Sequence, residues 1–209
     1  YNGTGLTLVA GPTMVGNGAS GIASGDTTGT AAADIVVTAG ADDQFRIFTE
    51  SAGTLSALGP YDTRVTPRGP SIGDAWKGGT KDEIVIVNSG ETTGTVSVYD
   101  GEGIALGHVD GGAPAGAVAM DSLVGDVLPG STAAGTSGDE VTVVYAGGAF
   151  AGGVDVFTQT VAGGLASPLS YSTGAGYNPG TVSLGDVDAD GTDELIVGNA
   201  GLWSRTITR

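Results

Sequence analysis

The apolar residues of this chain fall in short stretches rich in Val and Ile. Gly, Asn, Asp and Ser interrupt them every few residues, and helical periodicity is nearly absent. Short aliphatic runs bounded by turn-forming residues are typical of β-strands. The pattern therefore predicts an all-β protein built from many short strands.

The strands recur in four units of the same internal order. Each unit has a Gly-Asp pair, then an acid, then an aliphatic run that ends in glycine; the units span 24–40, 72–90, 124–148 and 184–201. The anchoring aspartates are Asp26, Asp74, Asp126 and Asp186. Their intervals are close to the ~40–50 residues of a propeller blade.

Two further strands follow each of the first three aliphatic runs. The third strand of a unit alternates and carries an aromatic residue, at 45–50, 95–103 and 154–160, and a short fourth strand follows at 54–59, 104–109 and 165–172. Four strands in each unit indicate a single β-propeller domain with four four-stranded blades. We expect the blades at about 12–65, 66–113, 114–174 and 175–209, the last completed by 1–11.

The two ends of the chain fall at the same phase of the repeat. Residues 1–11 align with 99–109, and residues 204–209 stand where the third strand of the last unit is expected. The N-terminal segment would then supply the outer strand of the last blade and close the ring, which removes open sheet edges. A longer tandem array cut at this point is the alternative.

Charge and composition exclude several classes of function. A formal net charge of −16 argues against nucleic-acid binding, because phosphate contacts need Lys and Arg. Apolar runs are too short for a membrane span, and the lack of cysteine excludes disulfides and thiolate chemistry. The 40 glycines mark turns at the same phase of each unit.

The last unit contains one calcium-type loop. Asp186, Asp188, Asp190 and Glu194 occupy positions 1, 3, 5 and 9, with Gly191 at position 6 and Thr192 offering a backbone carbonyl at position 7. Calcium takes six to eight oxygen ligands, which this spacing supplies. An acidic turn between strands is the alternative, but no Lys or Arg lies between Asp82 and Ser204 to relieve the repulsion of its carboxylates.

These residues resemble the FG-GAP/VCBS repeat of integrin α-subunit propellers and of many secreted bacterial proteins. The match is specific in 184–201 and weaker in the other units. The resemblance implies a β-propeller with Ca²⁺ bound between the first two strands of a blade. Its implied ligands are Asp186, Asp188, Asp190, Thr192 and Glu194. In the other units Thr28, Trp76 and a long loop after Asp126 depart from the pattern, so we expect no calcium there and capping of the turn by Asp26, Asp74 and Asp126.

No catalytic set stands out. His108 is the one histidine, and we interpret it as an outward strand residue rather than a triad member. The acid pairs Asp42-Asp43 and Asp139-Glu140 lie at strand ends and suit structural roles better than glycosidase chemistry. The aromatic residues in loops could stack on sugars or fill blade interfaces; they are Trp76, Trp203, Tyr171 and Tyr177.

The sequence favours a secreted, non-catalytic, calcium-stabilised propeller at the cell surface or outside the cell, acting in binding or adhesion. Its partner would be a protein or a glycan, and Asn2 begins a glycosylation sequon. The missing initiator Met is consistent with processing. Self-assembly into a filament or surface layer by strand pairing between protomers is the alternative, and a propeller-borne polysaccharide hydrolase or lyase is a third possibility.

Overall fold

The protein is described here from a computed structural model. The structure describes residues 13–30, 32–51, 54–76, 81–91, 95–111, 116–128, 139–147, 152–174, 177–189, 193–199 and 205–207. These residues form strands and turns and contain no helix, which confirms the all-β prediction for this part of the chain. Accordingly, none of them belongs to a helix long and apolar enough to cross a bilayer.

The first two sheets each contain four strands in chain order, every neighbouring pair antiparallel. The strands of the first sheet are β1 (Ala19–Gly25), β2 (Asp34–Ala39), β3 (Gln44–Ser51) and β4 (Thr54–Asp62). Those of the second are β5 (Pro67–Gly73), β6 (Glu83–Asn88), β7 (Thr95–Tyr99) and β8 (Ala105–Asp110).

The third sheet repeats this order, and the described part of the fourth sheet has three strands. The third sheet is made of β9 (Ala117–Gly125), β10 (Glu140–Gly147), β11 (Gly152–Phe157) and β12 (Leu169–Gly174). The fourth is made of β13 (Pro179–Gly185), β14 (Glu194–Asn199) and β15 (Arg205–Ile207). β15 pairs with β14, which confirms the third strand predicted at 204–209, whereas the strand predicted at 1–11 lies outside the described residues.

Burial explains why the second strand of each sheet is so aliphatic. All six residues of β6 are buried, and β10 is buried at seven of its eight positions. A strand covered on both faces reads as a continuous apolar run. The fourth strands β4 and β8 are mostly exposed, so their sequences carry more polar residues and glycine.

Three apolar clusters lie between consecutive sheets. The first joins Val36, Phe45 and Ile47 to Ile84, Ile86 and Tyr99. The second joins β6 and β7 to β10 and Phe157, and the third joins Val144, Val154 and Val156 to Val182, Leu195 and Val197. Each cluster therefore forms the core between one sheet and the next.

The first strand of each sheet also contacts the first strand of the next sheet: β1 contacts β5, β5 contacts β9 and β9 contacts β13. Polar side chains reinforce each contact. Ser20 Oγ donates to the Pro67 carbonyl at 2.6 Å, the Ser71 and Ser122 hydroxyls lie 2.9 Å apart, and Thr181 Oγ1 donates to Asp121 Oδ2 at 2.8 Å. The first strand of each sheet is therefore packed against the first strand of the next sheet.

Candidate metal centre

The candidate site lies in the turn between β13 and β14. Asp186 follows Gly185, the last residue of β13, and Glu194 is the first residue of β14. Gly185 and Glu194 are paired across the ladder, so the strand register holds the two ends of the turn side by side.

Three carboxylates converge in this turn. One oxygen from each of Asp186, Asp188 and Glu194 lies within 4.8 Å of the others. Asp186 and Asp188 are exposed, whereas Glu194 is 8% exposed. Glu194 Oε2 accepts a hydrogen bond from the Val187 amide at 2.8 Å, which fixes the buried carboxylate against the turn.

The backbone takes an uncommon conformation directly after Asp188. Ala189 has a φ of 62°, in the left-handed region that residues other than glycine seldom adopt. Three of the five implied ligands, Asp186, Asp188 and Glu194, lie together in this turn, and their role as ligands stays a prediction. The other two, Asp190 and Thr192, lie outside the described residues.

The donor set matches a hard divalent cation. Calcium binds oxygen at 2.3–2.6 Å, so two oxygens on the same ion lie at most about 5 Å apart. The 4.8 Å spread of the three oxygens falls within that limit, and carboxylate oxygens favour calcium, magnesium or manganese over softer metals. The three acids thus form a group that can hold a metal ion.

The corresponding acid in the other three sheets holds its turn by accepting backbone amides. Glu83 Oε2 accepts from Ala75 and Trp76 at 3.0 Å each, and Glu140 Oε2 accepts from Val127 and Leu128 at 2.9 Å each. Asp34 Oδ2 accepts from the Thr28 amide at 2.9 Å. This shared role was not predicted from the sequence, although an acid stands before each aliphatic run.

The residue at position 3 distinguishes the last turn from the others. In the first turn the Thr28 hydroxyl donates to Asp34 Oδ2 at 3.0 Å, and the Thr27 hydroxyl adds a bond at 2.9 Å. In the third turn Leu128 packs against an apolar cluster. Neither Thr28 nor Leu128 supplies a charged oxygen ligand at position 3, whereas the last turn has the carboxylate of Asp188 there.

The capping predicted for the anchoring aspartates is confirmed at Asp26. Its Oδ1 accepts the amides of Gly29 at 2.7 Å and Thr30 at 3.0 Å. This is the local side-chain-to-backbone bonding expected of aspartate in a turn. The same role for Asp74 and Asp126 stays a prediction.

The carboxyl group of Glu83, in the second of these turns, has a strongly raised pKa. Burial, with the charges of Asp74 and Asp82, raises the pKa to about 7 against the opposing hydrogen bonds from the Trp76 and Ala75 amides. Burial and the charge of Asp74 also raise the pKa of Asp139. The turns of the second and third sheets therefore concentrate negative charge between them.

His108 is an exposed residue of β8, as the sequence predicted. Ser97 Oγ lies 3.5 Å from its Nδ1, and Asp110 Oδ1 lies 3.5 Å from its Nε2. Ser97 is 3% exposed and its hydroxyl accepts a hydrogen bond from Asn88 Nδ2 at 2.9 Å. A serine enclosed in this way offers its oxygen to the sheet rather than to a substrate carbonyl.

The acid pairs bond to the backbone, as expected for structural roles. Asp42 Oδ2 accepts the Asn17 amide and Asp43 Oδ1 accepts the Thr66 amide, both at 2.7 Å, and Glu140 holds the third turn.

The aromatic residues predicted to lie in loops have different surroundings. Trp76 packs over Gly107 and Gly164 beside the second apolar cluster. Tyr171 is exposed on β12, and Trp203 lies outside the described residues.

A scan against protein-family models and a search of curated proteins each find no match.

Proposed function

We propose that this chain is a calcium-stabilised, non-catalytic β-propeller module of the FG-GAP/VCBS type, secreted or displayed at the cell surface, that binds a protein or glycan partner. The observation that carries the proposal is the convergence of Asp186, Asp188 and Glu194 within 4.8 Å in one strand-to-strand turn. When bound there, calcium would neutralise the three carboxylates and link the two ends of the turn.

The arrangement of the sheets supports a propeller with four blades. Each sheet runs in chain order, consecutive sheets contact through their first strands, and an apolar cluster fills each of the three junctions. Radial stacking of sheets around their first strands has these features. Completion of the last blade by residues 1–11 is part of the proposal.

A binding role fits the chemistry of the surface better than catalysis. The serine beside His108 is enclosed in its sheet, and the acid pairs hold backbone amides. Tyr171 offers an exposed aromatic ring on the outer strand of the third sheet, and exposed aromatics suit both glycan and protein partners. A calcium site of the extracellular class has a Kd on the order of 10⁻⁴–10⁻³ M, so it would be filled outside cells and largely empty in the cytosol.

Thermal unfolding with and without calcium tests the proposal. A ligand that binds the native state stabilises it by RT ln(1 + [L]/Kd). For 10 mM calcium and the expected Kd, this corresponds to about 1.4–2.7 kcal/mol and to a rise in Tm of roughly 3–10 °C. We expect this rise in the parent protein and its loss in Asp188→Asn.

Asp193→Asn is the matched control. Asp193 is exposed and stands one residue before Glu194, so its substitution changes the net charge equally without removing a predicted ligand. It should retain the calcium-dependent rise. An equal Tm in EDTA and in 10 mM calcium, or an equal response of both variants, would refute the calcium site.

A further inference from the structure

Arg64 lies in the connection between the first and second sheets and reaches the outer edge of the second. The connection runs from the end of β4 at Asp62 to the start of β5 at Pro67. Arg64 Nε donates to Glu91 Oε1 at 2.9 Å, and Arg64 Nη1 contacts His108 Nε2 on β8. The side chain thereby links three elements: the connection, the turn after β6, and β8.

The contact with Arg64 favours a neutral imidazole. A guanidinium has only N–H donors, so a hydrogen bond from Arg64 Nη1 to His108 Nε2 requires the lone pair of Nε2 and a neutral ring. The remaining proton then lies on Nδ1, which faces the Ser97 hydroxyl at 3.5 Å. Protonation would turn Nε2 into a donor that opposes the donors of Arg64.

An acceptor for a protonated Nε2 is already in place. Asp110 Oδ1, on the same strand, lies 3.5 Å from His108 Nε2. The other charged groups around the ring are Arg64 from the connection and Glu91 from the turn after β6, while Tyr99 on β7 and Asp110 act on Arg64. Neutral and protonated His108 therefore have different best partners, Arg64 and Asp110.

We propose that His108 is a pH-sensitive switch that, when neutral, accepts a hydrogen bond from Arg64 and, when protonated, releases Arg64 and donates to Asp110. Release leaves the connection held by backbone bonds, such as Thr63 N to Asp43 O at 2.8 Å and Gly90 N to Val65 O at 3.0 Å, and by Glu91. Acid conditions would thus detach the connection from β8.

The electrostatics support this exchange. Burial and then the charge of Arg64 lower the pKa of His108 below its ordinary value of 6.5, against the opposing charges of Asp110 and Glu91. Because the native state binds the proton less tightly than the unfolded chain, this group contributes stability above pH 6.5, and the contribution is lost as the pH falls below that value.

NMR of the single imidazole tests the switch directly, because the sequence has one histidine and its signals need no further assignment. At pH 8 we expect the Nδ1–H tautomer, with Nε2 unprotonated. The ring should titrate below 6.5, Arg64→Gln should raise its pKa and Asp110→Asn should lower it.

Amide exchange of residues 63–66 supplies the second readout. Corrected for intrinsic exchange, it should accelerate several-fold below the pKa of His108 in the parent protein and be pH-independent in Arg64→Gln. Glu102→Gln, an exposed acid in the turn before β8, is the matched control and should leave both readouts unchanged. An Nε2–H tautomer at pH 8, or a His108 pKa that does not respond to Arg64→Gln, would overturn the proposal.

Discussion

A buried acid at the start of the second strand performs the same task in all four sheets. Asp34, Glu83, Glu140 and Glu194 each accept amides from the preceding turn. A carboxylate that accepts backbone N–H groups satisfies donors which the turn would otherwise leave without partners. Only the last of the four turns has a carboxylate at position 3, that of Asp188. This second kind of acid makes the last turn a candidate cation site.

The negative charge of Glu83 lowers the free energy of unfolding by an amount that depends on pH. Its pKa is about 7 in the folded protein against 4.5 ordinarily. A raised carboxyl pKa means that the native state holds the proton more tightly. The free energy of unfolding should therefore fall as the pH rises from about 4.5 to 7, by at most about 3 kcal/mol from this group.

Glu83→Gln keeps an oxygen acceptor for the two amides and removes the charge. Its stability relative to the parent protein should increase between pH 5 and pH 8, measured by urea unfolding at each pH. Glu102→Gln, at an exposed position, should follow the parent curve. A parallel pH dependence of Glu83→Gln and the parent protein would show that Glu83 is ionised at both values.

The sequence predicted candidate ligand positions in the last turn. It did not reveal that a buried acid in each turn accepts backbone amides. Alternating carboxylates in Asp186–Glu194 specify a loop by local spacing alone, and such local signals are visible in a sequence. The role of Glu83 depends on its burial and on the distant neighbours Asp74 and Trp76. Those contacts exist only after the sheet has formed.

At the scale of the elements, the strands were predictable and their packing was not. Aliphatic runs and turn residues locate β2, β6, β10 and β14 because burial on both faces leaves a strong pattern. The fit of one sheet on the next depends instead on particular small residues. Gly25, Gly73 and Gly125 end the first strands and contact Ile72, Val124 and Leu184 of the following sheet.

Gly73→Ala tests this fit between the second and third sheets. A Cβ at Gly73 would lie 2.6 Å from Val124 Cγ1 and 2.8 Å from Val124 Cβ. Val124 is branched at Cβ and cannot yield without moving its strand, so we expect a loss of about 1–3 kcal/mol, measured by urea unfolding.

Gly185→Ala is the control at the same place in β13. The nearest described atom to its Cβ would be Ile196 Cδ1 at 3.9 Å, so its stability in EDTA should stay within about 0.5 kcal/mol of the parent protein. Equal stabilities of the two variants would contradict the described contact between Gly73 and Val124.

For the whole molecule, the number and order of strands in the first three sheets followed from the sequence, but the packing of one sheet on the next did not. Consecutive sheets contact through their first strands, and three apolar clusters lie between them. No periodicity in the chain encodes which side chains meet in these clusters.

The number of calcium ions bound per chain tests whether the last of the four turns, and that turn alone, is a calcium site. Equilibrium dialysis with calcium should give one ion per chain, with a Kd on the order of 10⁻⁴–10⁻³ M. Asp188→Asn should abolish this binding, and Asp193→Asn should preserve it. A single calcium site in the last turn would be refuted if the parent protein bound no ion or several ions with similar affinity. It would also be refuted if Asp188→Asn still bound one ion.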